Sequence, residues 1–140
     1  MGWIYNGEEF VGDDLDPKKI YGFVYEIRNL LNGRKYIGKK FFWSMRTKVV
    51  KGKKKKLVVQ SDWKKYWGSN GTLLADIEKD GESNFEREIK FLCESKSVCA
   101  YLEAREQFNI NAILDPVYYN DWIQVKITRR HLQKYSEKYS

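Results

Sequence analysis

The feature that most constrains this chain is a pair of short segments joined through Asn32-Gly33. From Tyr21 to Arg28, large apolar side chains occupy every second position, Tyr21, Phe23, Tyr25 and Ile27, the period of a strand with a buried face. Lys35 to Gly38 reads as a second, shorter strand. Asn-Gly readily takes the positive φ angles that a tight turn needs, so Asn29 to Arg34 closes an antiparallel hairpin. Everything downstream has to pack against that pair.

The rest of the chain alternates in type. Lys39 to Thr47 is compatible with a short helix carrying Phe41, Phe42 and Trp43. Thr72 to Lys79 is expected to be a helix burying Leu73, Leu74 and Ile77, with Asp80-Gly81 as its stop signal. Phe85 to Leu92 alternates again and reads as a third strand. Ser97 to Ile110 carries Val98, Tyr101 and Leu102 at helical spacing behind a serine cap. Trp122 to Thr128 is a candidate fourth strand. Residues 1–19 mix Trp3, Ile4, Phe10 and Val11 with acidic positions and read as an appended strand or loop. The expected fold is α+β, a small three-stranded antiparallel sheet flanked by helices, in one domain over 1–140. Its core runs from about 20 to 121, between an N-terminal extension and a basic C-terminal one (122–140).

Charge narrows the partners. There are 26 Lys and Arg against 19 Asp and Glu, giving +7 and a pI near 9.3, which favours a polyanion. No apolar run approaches the roughly 20 residues of a spanning helix, so no membrane is expected. Five lysines and one glycine fill Lys51 to Lys56; a solvated loop tip and a phosphate-contacting loop are equally good readings. Cys93 and Cys99 are too few for a secreted disulfide framework and read as reduced core thiols. One histidine, His131, leaves no imidazole-based triad or structural zinc site. Chemistry therefore falls to oxygen ligands, amines, phenols and guanidinium.

Phe23-Val24-Tyr25, then Tyr36-Ile37-Gly38 ten residues on, resembles the two strand motifs of the GIY-YIG nuclease family. Arg46, eight residues past Gly38, Glu106 within Arg105-Glu106-Gln107-Phe108, and Asn120 after Tyr118-Tyr119 are similar to that family's later marks, in the same order. The likeness spans Tyr21 to Asn120. It departs at Phe23, where the family has glycine and this chain has Gly22 one position earlier, and at Val50, where some members carry His or Tyr. Tyr66 is a candidate for that place from beyond the lysine run.

The resemblance implies a metal-dependent DNA endonuclease that cuts one strand per active site; double-strand cuts then need two events or a homodimer on DNA. The alternative is a nucleic-acid-binding module that keeps the fold and charge without turnover. Glu106 is the expected ligand for Mg²⁺, with Mn²⁺ able to substitute, because magnesium keeps several waters and takes one or two carboxylates. Arg46 offers a fork of donors to the scissile phosphate, and Lys39 shares that work. Tyr25 is the expected base and Tyr36 the orienting phenol, with the roles exchangeable; a phenol with a pKa of about 10 serves only if a cation lowers it. On helical phase Glu106 sits at the shoulder of the apolar stripe and its rival Glu103 points further towards solvent. Lys40, Lys51, Lys53, Lys54, Lys55, Lys56, Arg129 and Arg130 are the expected DNA contacts. No small-molecule cofactor is expected, and the expected location is the cytoplasm, that of the host if the chain is phage-encoded.

Overall fold

The computed structural model describes residues 2–123, 126, 129–133 and 135. The predicted hairpin forms: β3 (Gly22–Asn29) pairs antiparallel with β4 (Lys35–Phe41), Tyr25 opposite Gly38. The third predicted strand, β7 (Phe85–Cys93), lies antiparallel on the other side of β3 with a bulge between Val24 and Tyr25. This three-strand core is extended at the β7 edge. The N-terminal segment folds as a hairpin, β1 (Trp3–Tyr5) and β2 (Glu8–Phe10). Its turn residues Asn6 and Gly7 both have positive φ, and β1 runs parallel to β7. The sheet therefore has five strands in the order β2-β1-β7-β3-β4, where three were expected. Trp3 explains the extension. Its indole, 1% exposed, packs edge-on against Phe23 and Tyr25, apolar area that an open β7 edge would leave wet.

As the central strand, β3 is covered on both faces. Phe23, Tyr25 and Ile27 point into an aromatic cluster with Trp3, Phe42 and Trp63, under helix α1 (Gly71–Asp80). Val24 points the other way, into a second cluster with Ile37, Cys93, Cys99 and Leu102 beneath helix α2 (Lys96–Asn109). Both helices carry side-chain N-caps, Asn70 accepting from the Leu73 amide and Ser95 from the Val98 amide, which satisfies amides that a helix start otherwise leaves unpaired. The cap of α2 is thus Ser95, two residues before the predicted start.

Lys39 to Thr47 is not a helix. Lys39, Lys40 and Phe41 continue β4, Phe42 turns fully into the core, and β5 (Trp43–Val50) pairs antiparallel with β6 (Lys53–Gln60) as a separate two-stranded ribbon. Thr47, Val49, Val50, Val58 and Val59 are β-branched and favour pairing over helix. The Lys51-Gly52 turn, φ 52° and 75°, matches the twist of such a ribbon. Of the lysine run, Lys51 and Gly52 form the turn and Lys53 to Lys56 belong to β6. Beyond α2, residues 117–120 run along the free edge of β4, where the Lys35 amide donates to Val117 O (2.9 Å) and the Tyr119 amide to Lys35 O (2.7 Å). Trp122 and Ile123 form no strand, and 124, 125, 127 and 128 of the predicted fourth strand lie outside the described residues. No helix among the described residues is long and apolar enough to cross a membrane.

Candidate active site

The end of β4, the 61–70 segment, one side of α2 and residues 120–122 enclose a cleft of about 840 Å³. Its floor is the strand pair that carries both motif tyrosines. Tyr25 is 1% exposed, and its ring lies 6.1 Å from those of Tyr36 and Tyr66. The Tyr25 hydroxyl stands directly over Gly38, on the paired strand, where a Cβ would lie 2.5 Å from it. Only glycine leaves room for the phenol. The glycine shifted by one place in the first motif is explained on the opposite face, since a Cβ on Gly22 would come within 2.9 Å of Cys99 Sγ and 2.7 Å of Lys40 O. Gly22 is thus where α2 and β4 close on β3, and Phe23 is free to fill the aromatic core.

Burial pushes the Tyr25 phenol well above its usual value, and the neighbouring Tyr66 and Tyr36 phenols push it further. Tyr36 is also raised, again chiefly by burial, while its contact with Ser69 (Oη···Oγ 3.5 Å) works in the opposite direction. Both phenols are therefore hydroxyl donors at neutral pH in these surroundings.

Two cations follow the second motif. Lys39 Nζ pairs with Glu103 Oε1 at 3.1 Å, and Lys40 Nζ lies 2.7 Å from Asp62 Oδ1 and 4.2 Å from the Tyr66 ring centre. Glu103 is the carboxylate on α2 that lines the cleft. Burial raises its pKa, and Lys39 offsets part of that. Glu106, the expected ligand, is half-buried and does not line the cleft, so the phase argument that turned Glu103 to solvent fails. Position along β4 decides it. Cys99, Glu103 and Gln107, four residues apart, form one ridge of α2, along which Gln107 Nε2 donates to Ile37 O (3.1 Å) while Glu103 takes Lys39, two residues further along β4. A buried cysteine and a buried amide on the same ridge were the available signal. Tyr101, one of the residues that mark the apolar stripe in the sequence, is only half-buried and packs on Tyr135.

Asn120 reaches the cleft as expected, but its amide is engaged with the backbone. Its Oδ1 accepts from the Ile37 amide (3.0 Å) and its Nδ2 donates to Ile37 O (2.8 Å). It extends the ladder of β4 by one side chain and fixes Asp121 and Trp122 at the rim. Tyr66, proposed from beyond the lysine run, also lines the cleft. Arg87 holds its segment in place by donating to Lys64 O (3.2 Å) and Tyr66 O (2.7 Å) from between the Trp3 and Trp67 rings. Arg46 does not join the cleft; it is exposed on β5, opposite Leu57. Lys51 and Lys53 to Lys56 are exposed on the ribbon, and Arg129 and Arg130 on a short 3-10 turn, Arg129–Leu132. Asp121, Trp122, Ser69 and Asn70 also line the cleft. They sit in irregular segments with no periodicity to mark them.

Among the described residues no group of three His, Cys, Asp or Glu gathers. The oxygen donors the cleft does hold, the Glu103 and Asp121 carboxylates with phenols and hydroxyls, suit a hard divalent cation that keeps most of its waters.

Comparison with known proteins agrees with this geometry. The family described as "Putative endonuclease segE, GIY-YIG domain" matches residues 3–123, a span that takes in the N-terminal hairpin. "Putative endonuclease segE" of Enterobacteria phage T4 is 35% identical over 102 residues, 72% of this chain and 40% of that protein. The chain thus spans about two fifths of its relative's length. No solved structure matches. With the two motif tyrosines, Lys39 and Asn120 meeting in one cleft and the match running across both sheet and helices, the chain belongs to the SegE-type GIY-YIG family.

Proposed function

We propose that the chain is a DNA endonuclease that hydrolyses phosphodiester bonds in this cleft, one strand per active site. The observation that carries it is the meeting of two cations, a half-buried carboxylate and three phenols, Lys39, Lys40, Glu103, Tyr25, Tyr36 and Tyr66, in one opening. Glu103, with Asp121 nearby in the lining, would hold Mg²⁺ or Mn²⁺. Such an ion supplies neutralisation of phosphate charge and a more acidic bound water.

The protein's own groups supply the rest. The ammonium groups of Lys39 and Lys40 face the non-bridging phosphate oxygens, where charge builds up as water adds to phosphorus. One bridging P–O bond breaks, the water oxygen becomes part of the terminal phosphate, and one water proton ends on the departing hydroxyl. Tyr36, the less buried motif phenol, is better placed than Tyr25 to exchange that proton, and Tyr25 donates a hydrogen bond from beneath. Asn120 is a positioning residue that holds β4 and the 120–122 rim together. Arg46 serves as a DNA contact. Double-strand cleavage requires a second event or a second subunit on DNA, and the setting is the cytoplasm of a phage-infected cell.

The test is nicking of supercoiled plasmid with and without Mg²⁺, comparing the unaltered protein with Glu103→Gln and Glu106→Gln. Metal-dependent nicking lost in the first variant and kept in the second supports the reading. An unaltered protein that binds DNA and cuts none with either metal leaves a binding module instead.

A further inference from the structure

The β5–β6 ribbon takes no part in the sheet. Between Trp43 and Gln60 it carries seven cations and no acidic residue, and among the described residues none of those cations pairs with a carboxylate. Opposed residues of an antiparallel pair share a face, so the register sorts them. One face presents Arg46 beside Leu57, Lys48 beside Lys55 and Val50 beside Lys53. The other presents Met45 beside Val58, Thr47 beside Lys56 and Val49 beside Lys54. Two lysines directly opposed repel each other, so the Lys48–Lys55 rung is arranged against the stability of the free ribbon. A polyanion lying along that face turns this small penalty into a gain.

Size selects the partner. Two strands about 4.8 Å apart, with side chains on both edges, fit the roughly 12 Å major groove of B-DNA, which admits a two-stranded ribbon, and exceed the roughly 6 Å minor groove. The base of the ribbon adjoins the site, because Trp43 and Ser44 at the start of β5 line the cleft together with Ser61. A duplex whose backbone enters the cleft therefore passes along the ribbon. We propose that the β5–β6 ribbon lies in the major groove of duplex DNA with its Arg46–Lys48–Lys53–Lys55 face towards the bases. Arg46 is the base reader, since its fork matches the N7 and O6 acceptors of guanine, and Leu57 beside it meets thymine methyl groups. Lys48, Lys53 and Lys55 span the flanking phosphates. The proposal rests on the nuclease reading for the choice of duplex DNA, and it adds the groove and the residue that reads it.

The experiment measures binding with metal chelated, so that cleavage plays no part. A duplex selected from a randomised pool by the unaltered protein is treated with dimethyl sulfate, which marks guanine N7 in the major groove and adenine N3 in the minor groove. Interference at N7 is expected. Arg46→Ala is expected to lose discrimination at one base pair, a drop of roughly tenfold in preference. The combined Lys48→Gln, Lys53→Gln and Lys55→Gln variant is expected to lower the salt slope by about 2–3, near 0.9 per phosphate contact, at an unchanged unfolding temperature. Interference confined to adenine N3 overturns the groove, and an equal loss from Lys54→Gln with Lys56→Gln overturns the choice of face. Plasmid nicking is run alongside. Binding with the N7 pattern but no cutting sinks the nuclease reading and leaves the ribbon standing; cutting that ignores every ribbon variant does the reverse.

Discussion

Lys39 and Lys40 at the end of β4 and Lys48 and Lys55 on the ribbon are near neighbours in sequence, yet they live under different physics. The first two are half-buried and each has a carboxylate partner, Glu103 or Asp62. The second two are exposed, have no carboxylate partner among the described residues, and oppose each other. In the cleft, burial strengthens electrostatic interactions and penalises any unpaired charge, so each cation comes with its own anion, one that a substrate can compete for. On the ribbon, water screens the charges and little is spent in leaving them unmatched. The first region's geometry tolerates few alternatives. The second specifies its pairing mainly through β-branched residues and a tight turn, and is free to vary in charge.

Four substitutions, one pH profile and one ribbon replacement sharpen that contrast. The largest effect is expected from Glu103→Gln, which should lower plasmid nicking by about a hundredfold or more, the scale of losing one preorganised electrostatic group. Glu106→Gln is expected to stay within about tenfold of the unaltered protein, and the reverse order would move the metal site to Glu106. Gly38→Ala places a methyl group against the Tyr25 hydroxyl. A loss of about 1–3 kcal/mol is expected in chemical denaturation, as for other overpacked interiors, with nicking lost as Tyr25 is displaced.

Asn120→Ala leaves the Ile37 amide without its partner. A cost of about 1–3 kcal/mol should appear in stability, and nicking should fall through kcat more than through DNA affinity. On the proposed reading Glu103 must ionise to hold a divalent cation, and burial raises its pKa from the usual glutamate value. Nicking is therefore expected to rise with pH through a midpoint above that of a free glutamate. The linkage has the opposite sign for folding: the folded state holds that proton more tightly, so the Glu103 contribution to stability is full below the ordinary glutamate value and is lost as pH climbs from there through the raised folded value, and Glu103→Gln flattens the decline in a urea titration series. The smallest effect belongs to the ribbon. Replacing residues 47–56 by an Asn-Gly turn is expected to move the unfolding temperature by only about 2 °C, while DNA affinity collapses. A large thermal loss would mean that the ribbon belongs to the core after all.

How much of this was legible from the sequence follows the same division. The β3–β4 hairpin, α1, β7 and α2 were readable because each buries one face at a fixed period and ends on a cap or turn residue. Tyr25, Tyr36, Lys39 and Asn120 followed from motif positions on those elements. What failed was less regular. Phe41, Phe42 and Trp43 look helical as a cluster, but Phe42 is a single core side chain at a strand-to-ribbon bend, and the Lys51-Gly52 turn between valine-rich segments was the overlooked strand signal. The choice between Glu103 and Glu106 depended on how α2 rolls against β4, which Gln107 and Ile37 decide through one hydrogen bond. The N-terminal strands were too short, three residues each, to show a period.

Those short strands impose an order on the chain's own birth. Trp3 lies beside Arg87 in the sheet, so β1 has no docking edge until β7 emerges, on the order of 4–16 s later at roughly 5–20 residues per second. For that interval an indole bound for the core stays in water, and the nascent chain is most exposed to chaperones and to mispairing while its GIY-YIG motifs are already outside the tunnel.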